Sequence, residues 1–129
     1  MKNKKVFVFG NPDIATDSVP LSILSRLREK FPDISFLFLD PNEEWGIPDP
    51  LIIIDTIVGI PDVRVFHGLL EFSAAPTVSV HDFDALFNLR YLEKLGKLGD
   101  VIIIGISPKM SEADALIAVS LEIKQIFVD

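Results

Sequence analysis

Three residues stand where a chain of alternating strands and helices places its chemistry. Asp55 directly follows the aliphatic run Leu51–Ile54, His81 follows the extended piece Thr77–Val80, and Asp17 stands at a loop-to-helix junction. Two carboxylates and one imidazole can hold a divalent metal while leaving positions open for water or substrate. A carboxylate placed after four buried aliphatics is expensive without a partner, which favours a working role for Asp55. Taken singly, Asp17 also suits a helix N-cap, and His81 suits a satisfied junction histidine. Asn11, next to Gly10, can form a turn, and its amide can also brace the loop that carries Asp17. The chain has no cysteine, and no Ser–His pair falls at strand ends, so a covalent nucleophile is not indicated.

The elements that must position these residues follow from apolar periodicity. Val6–Phe9 reads as a buried first strand ending at the turn pair Gly10-Asn11. Val19, Ile23, Leu24, Leu27 and Phe31 recur at helical spacing, with Asp17 or Ser18 as cap, Pro20 in the first turn and Pro32 as terminator. Ile34–Leu39 is a second strand, and Leu51–Ile54 is a central strand buried on both faces. Val63–Phe66 reads as a short edge strand with Arg64 outward, and Thr77–Val80 as a further extended piece. A helix is expected from Asp82 to Leu95, bracketed at its end by Gly96 and Gly99. Val101–Ile104 is the last central strand. Ser111 caps a closing helix from Glu112 to Phe127, with Ala113, Leu116, Ile117, Ile123 and Phe127 expected inward. This alternation predicts a single domain over residues 1–129, a three-layer α/β/α sandwich around a mostly parallel twisted sheet of about five strands. In such sheets ligands bind beyond the carboxyl ends of the strands, where Asp17, Asp55 and His81 are expected to meet.

Composition narrows the function classes. The 129 residues are 49% hydrophobic, ample for a buried sheet with helical cover. A net charge of −7 with no basic patch argues against nucleic acid. The longest apolar runs are too short to cross a bilayer, and the stretch after the basic start is too short for a secretory signal, so a cytoplasmic protein is expected. His67 reads as solvated, Glu43, Glu44 and Trp45 as an exposed loop, and Asp82 and Asp84 as first-turn helix charges.

Three blocks in order resemble the nickel–iron hydrogenase maturation endopeptidases. They are Val6–Asn11 with Asp17 six positions on, Leu51–Val58 with Asp55 inside it, and Ser79-Val80-His81 before an amphipathic helix. The resemblance covers nearly the whole chain. It implies that Asp17, Asp55 and His81 contact nickel already inserted in the precursor of a hydrogenase large subunit. It further implies that the enzyme then removes that subunit's C-terminal extension, with Asp17 and Asp55 as its catalytic carboxylates. Nickel comes with the resemblance; the ligand types themselves would equally suit zinc or manganese.

The chain departs from the family where Ser18-Val19-Pro20 replaces a glycine-rich turn, and where Asp40–Glu44 replaces glycines after the second strand. Proline cannot take the positive φ that glycine offers. These departures keep open a non-catalytic member that holds a metal-loaded partner, and an independent zinc-dependent hydrolase stands beside it. A receiver-like phosphoacceptor domain, with Asp55 and Lys109 in the leading roles, lacks an acidic pair after the first strand, where Gly10-Asn11 stand.

Overall fold

The structure is a computed structural model and describes residues 4–9, 19–38, 49–74 and 86–127. Five strands form one sheet: β1 (Lys5–Val8), β2 (Ser35–Phe38), β3 (Leu51–Thr56), β4 (Val63–His67) and β5 (Val101–Ile106). Their order across the sheet is β2-β1-β3-β5-β4. The first four in that order run parallel, and β4 is an antiparallel edge. The central pair is in continuous register from Leu51↔Val101 to Thr56↔Ile106. Every residue of β3 is buried, as its unbroken aliphatic run requires.

Alternation along the strands divides the core in two. Leu51, Ile53, Val101 and Ile103 face one layer with Phe66, Leu69, Phe72 and Leu89. Ile52, Ile54, Ile104 and Ile106 face the other with Ile23, Leu27, Ala115, Val119 and Ile123. The helices thus form two layers. On one side lie α1 (Val19–Ser22), α2 (Leu24–Lys30) and α5 (Glu112–Ile126); on the other lie α3 (Leu69–Ala74) and α4 (Leu86–Lys94). The three-layer sandwich expected from the sequence is the observed architecture.

Several boundaries differ from the expectation. The first helix is broken at Ile23, where the Ser22 hydroxyl donates to the Val19 carbonyl at 2.8 Å and competes with the helical ladder. β3 and β5 each extend two residues further, because the parallel ladder continues through Asp55↔Gly105 and Thr56↔Ile106. Asp55 is therefore inside its strand, not beyond it. Helix α3 was not expected. It follows a turn at Gly68 (φ 93°), whose N–H donates to the Val101 carbonyl, and the Glu71 carboxylate accepts the His67 N–H. Phe72 holds this short helix down by meeting the Phe66 ring edge-on, with centroids 5.1 Å apart. His67 is exposed, as expected, and so is Arg64 on the edge strand.

The ends of the long helices follow their sequence signals. Ser111 accepts the Asp114 N–H and caps α5. Gly96 takes a φ of 69° after α4, with Gly96 and Lys97 amides returning to the Glu93 and Leu92 carbonyls, a Schellman closure. The inward face of α5 is a correction. Ala115, Val119 and Ile123 are buried, whereas Ala113 and Ile117 are exposed. The helix is apolar on most of its circumference, so a stripe could be drawn through either set, and the sheet selects the one centred on Val119. At the amino ends of the strands, the Asp49 carboxylate accepts the Asp100 N–H and fills the space beside Gly99 that a side chain there would need. The expected helical residues 82–85, the piece Thr77–Val80 and the loop Glu43, Glu44 and Trp45 lie outside the described residues.

Candidate active site

The topology singles out one crevice. From β1 the chain moves outward to β2, then returns to place β3 on the other side of β1. Strand order reverses between β1 and β3, and the carboxyl ends of two such strands flank the ligand crevice in open α/β sheets. Asp55 sits at the carboxyl end of β3, one residue before its last.

The local geometry of Asp55 is that of a held carboxylate. It is 7% exposed, and its Oδ1 accepts the Thr56 N–H at 2.8 Å. By alternation it lies on the α3–α4 side, above Ile53 and Leu51. Its neighbour across the ladder is Gly105, and the next residue across is Arg64 of β4. Gly105 carries no side chain because Ile57 folds over it. A Cβ there would lie 2.6 Å from Ile57 Cγ1 and 3.2 Å from Ile60 Cδ1. These two isoleucines take the space over Gly105, which lies between Asp55 and Arg64 in the ladder, and the Arg64 guanidinium lies over the Phe66 ring, 4.8 Å from its centroid. Replacing Gly105 by Ala is expected to lower stability by about 1–3 kcal/mol through overpacking against Ile57. Denaturant unfolding reads this directly, and an unchanged midpoint would count against the tight contact.

Two further polar residues at this edge were missed in the sequence. Thr56 is 6% exposed, and Ser107, just past β5, is 1% exposed. The Ser107 hydroxyl accepts the Lys109 N–H at 3.3 Å, and its own N–H donates to the Asp62 carbonyl, tying the β5 exit to the loop before β4. The readable signal was a small hydroxyl residue two or three positions beyond each aliphatic run, Leu51–Ile54 and Val101–Ile104. Lys109 itself is exposed. With β5 beside β3 and β4 antiparallel, the sheet also differs from the 2-1-3-4-5 order of receiver domains.

Of the residues expected to form the site, Asp55 is the one that falls within the described part of the chain. Asp17, His81 and Asn11 lie outside it. Among the described residues no three His, Asp or Glu side chains gather to hold a metal, and no helix is long and apolar enough to cross a membrane.

Comparison with known proteins adds the fold. No family model and no curated protein sequence matches the chain. Solved structures do. The NiFe hydrogenase maturation protease HybD from Thermococcus kodakarensis matches with a TM-score of 0.66 at 20% identity, over 98% of this chain and 99% of that one. The hydrogenase maturating endopeptidase HybD from E. coli matches with a TM-score of 0.61 at 14% identity, over 98% and 95%. An uncharacterized protein from Wolinella succinogenes matches with a TM-score of 0.60 at 16% identity, over 97% and 96%. Along nearly its whole length, the chain shares the fold of the hydrogenase maturation proteases.

Proposed function

We propose that the chain is an endopeptidase that recognises nickel in the precursor of a nickel–iron hydrogenase large subunit and removes the precursor's C-terminal extension. The observation that carries this reading is the placement of Asp55. A buried carboxylate occupies the carboxyl end of β3, beside the strand-order reversal, in a fold shared over nearly full length with two hydrogenase maturation proteases. Asp17, Asp55 and His81 are the residues that would meet the nickel, which arrives as part of the substrate. Asn11 would brace the Asp17 loop. A set of two carboxylates and one imidazole leaves coordination positions for the substrate's own ligands, so the free enzyme should hold divalent ions weakly.

In this reading the two carboxylates fix the nickel-bearing end of the precursor, and the cation's charge polarises the scissile carbonyl toward attack by water. Burial strengthens that electrostatic contact, since Asp55 is buried at the end of the isoleucine run of β3, where the effective dielectric is low. The reaction belongs in the cytoplasm, where the precursor would be met before assembly.

Incubation with nickel-loaded and nickel-free precursors tests the proposal. Intact-mass measurement should show loss of a C-terminal peptide from the loaded form only. Equal cleavage of both forms would overturn nickel recognition. Tight association with the loaded precursor without any cleavage would replace the peptidase by a holding protein of the same fold.

A further inference from the structure

Thr56 carries a cost with no visible return in the free protein. Its Oγ1 is buried and has no hydrogen-bond partner among the described residues. A buried hydroxyl without a partner loses its water and gains nothing in exchange. Valine would fill the same strand position with nearly the same shape, good β-propensity and no orphaned atom. The backbone around it is already satisfied and fixed: Thr56 is in register with Ile106, its N–H goes to Asp55 Oδ1, and the next amide, of Ile57, donates to the Ile106 carbonyl at 3.0 Å. Strand alternation places the Thr56 side chain on the opposite face from Asp55, with Ile52 and Ile54, the side covered by α1. That helix begins at Val19, two positions after Asp17 in the chain.

We propose that Thr56 is a positioning residue of the ion site, its hydroxyl unpartnered among the described residues and engaged by an oxygen ligand when a divalent ion binds at the carboxyl edge. The inference rests on the function proposed above and deepens it. It assigns one orienting group to each side of β3: Asp55 reaches the ion from the α3–α4 side, and Thr56 steadies an oxygen from the α1 side. A hydroxyl donated to an anionic or ion-bound oxygen is a charge-assisted bond, and partners of this kind orient metal ligands. Ser120, in the middle of α5, supplies an internal comparison. Its hydroxyl is also buried and unpartnered among the described residues, but it sits in a helix and not on a strand of the sheet.

The test pairs stability with ion affinity in the full chain, using Thr56→Val, Thr56→Ser and Ser120→Ala. Thr56→Val should raise the thermal midpoint by about 3 °C and weaken binding of added nickel chloride about tenfold, as followed by amide shifts in solution. Thr56→Ser should keep the wild-type affinity. Ser120→Ala should raise the midpoint without touching affinity. A lower midpoint in Thr56→Val would mean the hydroxyl is already partnered in the free protein and would overturn the proposal. Unchanged nickel affinity in Thr56→Val, with wild type binding normally, would overturn it while leaving the peptidase reading standing. Failure of the wild type to bind nickel at any concentration would remove the ion site and this inference with it.

Discussion

Replacing Asp55 by Asn is expected to slow removal of the C-terminal extension by more than about a hundredfold while the protein stays folded. Groups that merely orient a metal ligand are worth roughly 10–100-fold, so under the proposed function a carboxylate that meets the nickel itself should be worth more. Asparagine keeps the side-chain shape and an oxygen that can accept the Thr56 N–H, now at 2.8 Å. It loses the charge, and with it the attraction to a cation. Single-turnover cleavage of the nickel-loaded precursor, run beside circular dichroism, separates chemistry from folding. Cleavage within a few-fold of wild type would take Asp55 out of the site.

The second large effect concerns stability. Phe66→Ala should cost about 3–5 kcal/mol, the usual loss for a fully buried aromatic truncated to a methyl. Phe66 is completely buried, and three features converge on its ring: the edge of Phe72, the guanidinium of Arg64 and the layer formed by Leu69 and Leu89. Typical domains of this kind have only about 5–15 kcal/mol in hand. The loss should therefore shift the urea midpoint strongly, and α3 amides should exchange with solvent ahead of those in β3. A change below about 1 kcal/mol would show that the ring is not the anchor of α3.

How much of this was legible in the sequence depended on how many faces an element buries. The run Leu51–Ile54 announced a strand covered on both sides, and Asp55 stood out because a carboxylate beside such a run needs a reason. Helix α3 gave no such notice. Leu69–Ala74 spans fewer than two turns, too short for a periodic stripe, and it forms because Phe72 finds Phe66, a contact between elements. On α5 the apolar residues surround the axis, so periodicity could not choose between Ala113 with Ile117 and Ala115 with Val119. The antiparallel direction of β4 was likewise unreadable, since a five-residue edge strand has the same pattern either way. Thr56 was passed over because threonine is an ordinary strand residue; what distinguishes it is a buried hydroxyl with no partner among the described residues.

The pairing of β3 with β5 also bears on how the chain reaches its fold. Leu51 meets Val101 only after β4, α3 and α4 have been laid down between them. Closing so long a loop before any ladder bond can form is entropically uphill, and parallel pairings of this kind are slow. The β1–β2 pair joined through α1 and α2 closes a shorter loop and should assemble first. Until β5 arrives, one edge of β3 stays open along its aliphatic residues, which is the segment a chaperone would need to shield in the newly made chain.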